Sequence, residues 1–234
     1  MGVAEETKVL AFDVFGTVVD WYSTVVREVE AWALSVEASE FALAWRAGYR
    51  PAMDRVASGE LAWKRIDELH RMILIDLLEQ NGITHLNEGE IDCLNRVWHR
   101  LDPWPDAVEG LTRLKERYLI CTLSNGNLGL LANMAKHAGL PWDCILSAEL
   151  FRAYKPDPVT YLGVADTFDV EPGEVMLAAA HHGDLAAARA CGLKTAYIER
   201  PAEFGPANVK EVSSRPENTL HAKDIIDLAS MLNC

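Results

Sequence analysis

No apolar run in this sequence approaches about 18 residues, the length of a membrane-crossing helix, so no membrane span is expected. Cysteine is sparse: Cys93, Cys121, Cys144, Cys191 and Cys234 are scattered, odd in number and lack a C-x-x-C pair. That argues against a disulfide framework or a zinc site and for a reducing compartment. The first eight residues, Met1-Gly-Val-Ala-Glu-Glu-Thr-Lys8, lack the basic region and long apolar stretch of a secretory signal, so a cytoplasmic protein is expected. Basic residues are outnumbered, 22 Lys and Arg against 35 Asp and Glu, giving a net charge of −13. A nucleic-acid or anionic-membrane surface needs a basic face, which this balance disfavours. A small basic pocket for an anionic metabolite is still compatible with it. No internal repeat or low-complexity stretch is present.

What is present is enough for a core. Half of the residues are hydrophobic and 24% are charged. At about 150 residues per domain, 234 residues correspond to one domain with a sizeable insertion, or to two modest ones. Val9-Leu-Ala-Phe-Asp13 is a short apolar run ending in an acid, which reads as a buried strand opening into a loop. From about Ser23 to Trp98 the periodicity turns helical, as at Leu61, Ile66, Leu69, Met72, Ile73 and Leu77. After Pro105 the chain alternates. Strands at Leu119–Ser124, Cys144–Ser147, Val175–Ala179 and Lys194–Ile198 are separated by helices, and a closing helix lies within 211–234.

Strands alternating with helices predict an α/β fold, a doubly wound parallel sheet of Rossmann type. Because the first strand must join that sheet, the helical block is an insertion. The expected division is a core of residues 1–20 and 100–234 and a helical cap of residues 21–99. Ligands of such sheets sit at the carboxyl ends of the strands. Asp13, Ser124 with Asn125, Lys155 and Asp184 all stand there. An acid, a hydroxyl, a cation and a second acid in one crevice form a nucleophile with its supporting groups.

Four segments at these positions resemble the motifs of the haloacid dehalogenase superfamily: Phe12-Asp-Val-Phe-Gly-Thr17, Leu123-Ser-Asn-Gly126, Tyr154-Lys-Pro-Asp-Pro158 and Gly183-Asp-Leu-Ala-Ala-Ala-Arg-Ala-Cys-Gly192. They occur in the right order, with the insertion in the right place. Most members of that superfamily are magnesium phosphatases with a second Asp two residues after the nucleophile. Here that position is Phe15, which cannot exchange a proton. The phosphatases also carry an acid four residues before the position of Asp184; here it is Ala180. A hard cation wants oxygen ligands, and one is missing.

Both losses resemble the L-2-haloacid dehalogenase branch, where the leaving halide needs no proton. That resemblance implies hydrolysis of short L-2-haloalkanoates, with Asp13 attacking C2 to form an ester that water then cleaves. No metal or other cofactor is implied, and the expected partner is a small anionic haloacid, with a homodimer as the expected assembly. Lys155 pairs with Asp13; Thr17 and Ser124 hold the nucleophile and the substrate carboxylate; Asp184 orients Lys155 or water. Tyr161 lies near the site, Phe15 walls the pocket, and Trp45 with Arg46 resembles a Trp-Arg pair whose Arg receives the halide. Asn125 supplies a second halide donor.

One segment departs from the best-known dehalogenases, which have Asn and Trp where this chain has His181 and Gly183. His181 is expected to position water or act as a base. Loss of a wall at Gly183 leaves Phe15, Trp45 or Trp63 to compensate. Each assignment has a structural alternative: Arg46 as a solvated helix residue, Tyr161 as helix packing, His181 as a satisfied buried histidine. At the level of function, the alternatives are a phosphatase-like hydrolase with a degenerate metal site and a catalytically silent binding module.

Overall fold

The computed structural model describes residues 3–234; Met1 and Gly2, which open the acidic N-terminus and the expected core segment, lie outside the described residues. A short helix α1 (Val3–Glu6) precedes β1 (Val9–Phe12), and a two-residue strand β2 (Val19–Asp20) follows. Four helices come next: α2 (Trp21–Ala31), α3 (Ala38–Ala57), α4 (Ile66–Gln80) and α5 (Glu88–Asn95). The chain returns through β3 (Asp102–Pro103), α6 (Ala107–Lys115), β4 (Leu119–Ser124), α7 (Leu128–Ala138) and β5 (Cys144–Ser147). It finishes with α8 (Ala148–Phe151), α9 (Pro158–Phe168), β6 (Val175–Ala179), α10 (His182–Ala190), β7 (Lys194–Ile198), β8 (Leu220–Ala222) and α11 (Ile225–Met231).

All six long-sheet strands are parallel, in the order β5-β4-β1-β6-β7-β8. Helices cover both faces, which is why β1 and β6 read as unbroken apolar runs and are buried throughout. β1 lies in the middle. From it the chain winds outward one way through β4 and β5, then the other way through β6, β7 and β8. The order therefore reverses at β1, and the crevice opens beyond its carboxyl end.

The inserted helices pack on a tryptophan cluster. Trp21, Trp45 and Trp98 are fully buried, with Trp45 edge-on to Trp98 at 5.4 Å between centroids. Helix starts are fixed by side-chain caps: Asp20 accepts from the amide of Ser23 at 3.0 Å, and Asn87 with Glu90 forms a capping box. Where the chain enters and leaves this block, β2 and β3 pair antiparallel, Val19 opposite Pro103 and Asp20 opposite Asp102.

Two elements differ from the sequence expectation. The β2–β3 ribbon was not anticipated, and the segment 211–234 contains an edge strand, β8, before its helix. Strands of two and three residues are too short to display a period of two. One buried ion pair ties distant parts together. Arg200, just past β7, makes two bonds to the carboxylate of Asp106 at 3.0 and 2.6 Å. Its Nε donates to the carbonyl of Thr17 at 2.8 Å, and Asp106 accepts from the amide of Ile225 at 2.8 Å.

Candidate active site

Asp13 leaves β1 at its carboxyl end, and its amide donates to Ala178 of β6 at 3.0 Å, so the sheet fixes its backbone. The side chain is almost buried. Lys155 Nζ donates to Asp13 Oδ1 at 2.9 Å and to Asp184 Oδ2 at 2.5 Å, so one ammonium spans two carboxylates. The Lys155 backbone is held in turn, its amide donating to Asn125 Oδ1 at 2.7 Å. Burial opposes charge on Asp13, but Lys155 and then His181 outweigh it and hold the carboxyl well below its usual range. Burial opposes charge on Lys155 too; Asp13 and Asp184 reverse the balance and raise its pKa.

The other oxygen of Asp13 is also engaged. Thr17 Oγ1 donates to Oδ2 at 2.7 Å while accepting from the amide of Ala180 at 2.9 Å, which settles the direction of its proton. His181 Nδ1 lies 2.9 Å from the same Oδ2, and its Nε2 lies 2.8 Å from Glu203 Oε1. Glu203 is completely buried; its second oxygen accepts from Lys210 Nζ at 2.7 Å. Burial works against a charged His181, yet its bonds to Asp13 and Glu203 push its pKa up to about 9. An imidazole between two carboxylates is doubly protonated at neutral pH and donates to both.

Beside this cluster opens a cavity of about 730 Å³. Its floor is Asp13, Ser124, Asn125 and Lys155, and the inserted helices contribute Arg46, Tyr49 and Met53. The Arg46 guanidinium lies 4.4 Å from the centroid of the Tyr49 ring, which orients it over an aromatic face. Phe15 lines the cavity and meets Trp98 edge-on at 6.0 Å. Tyr161, also on the wall, donates its hydroxyl to Asp184 Oδ1 at 2.6 Å. Ser124 does not bond Asp13; its Oγ accepts from the amide of Gly126 at 3.1 Å and lines the cavity. Asn125 turns its Nδ2 toward Met53 Sδ at 3.4 Å.

Trp45 is a correction. Expected at the pocket with Arg46, it is fully buried away from it, its indole N–H donating to the carbonyl of His70 at 2.9 Å. Successive helical residues are rotated by about 100°, so an Arg46 that faces the cavity turns its neighbour into the packing. Trp63 is likewise elsewhere, stacked on Tyr154 at 4.8 Å. Position 183 is open as expected: a Cβ there would meet nothing within 4 Å. Of the expected walls only Phe15 lines the cavity, joined there by the aromatic side chains of Tyr49, Tyr161 and Phe204.

Sequence reading missed Glu203, Lys210, Tyr49 and Phe204. Tyr49 stands three residues after Arg46 on one helix face, a spacing that offered a signal. The others lie in the long loop between β7 and β8, where no periodicity foretells which side chain turns inward. The resulting arrangement holds a carboxylate ionised and oriented at the edge of a cavity, with cationic donors on both its oxygens. Such a group can attack carbon and be regenerated from an ester.

Residues 7–192 match the family model described as haloacid dehalogenase-like hydrolase. The (S)-2-haloacid dehalogenase 4A of Burkholderia cepacia is 30% identical over 230 residues, 92% of this chain and 94% of that protein. A solved defluorinating L-2-haloacid dehalogenase superposes with a TM-score of 0.94 at 47% identity, covering 97% of this chain and 96% of that one. A second solved L-2-haloacid dehalogenase gives 0.93 at 44% identity, covering 97% and 99%.

Proposed function

The chain belongs to the haloacid dehalogenase-like hydrolase family, and from that premise we propose that it hydrolyses the carbon–halogen bond of short L-2-haloalkanoic acids. In this reading Asp13 displaces the halide from C2, forming an ester with inversion at that carbon. Water then attacks the Asp13 carboxyl carbon and frees the 2-hydroxy acid. Thr17 and Lys155 hold the nucleophile, Ser124 takes the substrate carboxylate, and Arg46 with Asn125 receives the halide. A guanidinium keeps its charge and offers five N–H donors to the departing anion. Asp184, fixed by Tyr161, keeps Lys155 in place.

The observation that carries this reading is the single ammonium of Lys155 shared between Asp13 and Asp184. It stands where a hard divalent cation would take those carboxylates as ligands, and position 180 contributes only a methyl group. The donor set therefore suits an ammonium and not Mg²⁺, which favours dehalogenation over phosphate hydrolysis. The similarity to a defluorinating enzyme extends the proposed substrates to fluoroacetate.

In the same proposal residues 21–99 act as a cap over the core of residues 1–20 and 100–234. The exposed Leu150, Val159 and Leu162 of α8 and α9 are offered as a homodimer face, and the five free thiols suit the cytoplasm. Single-turnover reaction in ¹⁸O water tests the chemistry, with label expected in the Asp13 carboxylate. Its absence would overturn the ester mechanism, and magnesium-dependent release of phosphate from a generic ester would restore the phosphatase alternative.

A further inference from the structure

We propose that Glu203 is a positioning residue that lets His181 serve first as a donor to the nucleophile and then as the base of ester hydrolysis. The inference rests on the Asp13 ester reading and adds to it a residue from outside the four motifs. Glu203 is completely buried, and each of its oxygens has a cationic partner, His181 on one and Lys210 on the other. Lys210 Nζ also donates to the carbonyl of Ala180 at 2.5 Å, so the loop carrying Glu203 is fastened beside the strand end that carries His181. The backbone makes room for it: Gly16 has φ +81°, and a Cβ there would lie 2.3 Å from Glu203 Oε1. A buried carboxylate is costly unless paired. This one is paired, and aimed at the ring that touches the nucleophile.

The charged groups facing His181 are Asp13, from the loop after β1, and Glu203, from the loop after β7. Lys210 stands behind Glu203, and Lys155 stands on the far side of Asp13. In the free enzyme both carboxylates hold the proton pair on the imidazole. Esterification removes the charge of Asp13, leaving burial opposed by Glu203 alone, and the proton affinity of Nδ1 falls. The ring's 29% exposed edge gives that proton a route to solvent. Neutral His181, its Nε2–H fixed on Glu203, then takes a proton from water as the oxygen adds to the ester carbon. The tetrahedral adduct collapses, its C–O bond to the substrate breaking, and the alkoxide takes the remaining proton of the added hydroxyl. Asp13 is again a carboxylate and His181 again doubly protonated. Summed over the cycle, a haloacid and water give a hydroxy acid, a halide and the one proton released at esterification.

The test is Glu203→Gln, which keeps size and hydrogen bonding but removes the charge, followed by rapid quench with bromoacetate and intact-protein mass spectrometry. The expected result is a burst of one halide per active site, then turnover slowed by roughly 10²-fold, with the ester accumulating on Asp13. His181→Asn is expected to accumulate the same ester, and the double variant to lose no more than either single one. The pH dependence of ester decay expected of the natural enzyme should be lost in His181→Asn and displaced to lower pH in Glu203→Gln. Glu203→Gln turnover at the natural rate, or variants that slow halide release as much as ester decay, would overturn the role of Glu203. If Glu203→Gln does not fold, Glu203→Asp, which keeps the charge but draws the carboxylate back from His181, is expected to slow ester decay more than halide release, and natural ester decay in it would overturn the role of Glu203. Natural enzyme that releases halide without labelling Asp13 in ¹⁸O water instead removes the ester reading itself, so the two failures are separable.

Discussion

Tyr161 donates its hydroxyl to Asp184 Oδ1 at 2.6 Å, the oxygen opposite the one that accepts from Lys155. Both oxygens of Asp184 are thereby occupied and its plane is fixed. Burial first, and then Asp184, raise the pKa of Tyr161, so it remains a donor throughout the working range. Tyr161→Phe leaves one buried lone pair unsatisfied. The expected cost is about 1–3 kcal/mol of stability, with halide release slowed roughly tenfold, or about 1.4 kcal/mol of barrier. Denaturant unfolding and a halide assay on the same variant check the two numbers.

Lys155→Met removes the cation that two buried carboxylates share. Asp13 then has only His181 and Thr17 to set against burial, so its carboxyl pKa rises, and it loses the partner that orients Oδ1. Halide release should vanish, and the uncompensated charges should cost about 3–5 kcal/mol. A variant that retains stability and activity would contradict the assigned role.

The pH response has a definite sign. Asp13 is held well below the usual carboxylate range, so kcat/KM stays flat on the acid side until far below neutrality. Loss of the His181 proton, with its pKa raised to about 9, takes a donor from the nucleophile, so kcat/KM falls above that pH. Stability follows linkage. A histidine raised from 6.5 to about 9 adds stability that is complete below 6.5 and lost as pH climbs through 9. Thermal midpoints should therefore drop between pH 7 and 9.5, and His181→Asn should flatten that drop.

Trp45 and Arg46 are neighbours with opposite expected phenotypes. Trp45→Phe loses volume and the indole bond to His70, costing about 1–3 kcal/mol, while the folded enzyme keeps its turnover. Arg46→Lys keeps the charge but loses the planar fork, so the fold holds and halide release slows by roughly tenfold. Paired thermal melts and kinetics would expose an inverted pattern.

These cases mark what the amino-acid sequence makes legible. The strands at 119–124, 144–147, 175–179 and 194–198 stand where apolar runs and flanking helices put them, because burial on both faces leaves a strong signal. Asp13, Lys155 and Asp184 are readable because the chain's alternation sends strand ends to one crevice. Trp45 was misplaced because adjacency in sequence says nothing about helix phase until one face is known. Glu203 was invisible for another reason. Its partner His181 is 22 residues away, joined through a loop whose path depends on Lys210, Gly16 and the sheet edge at once.

The tie centred on Arg200 extends the reach of Asp13, the proposed nucleophile. From the amide of Ile225 it runs through Asp106 and Arg200 to Thr17, whose hydroxyl rests on Asp13. A helix at the far end of the chain is thus mechanically in series with the Asp13 carboxylate. Substitutions there, remote from any substrate, should register first as a misaligned nucleophile and only afterwards as a lower melting point.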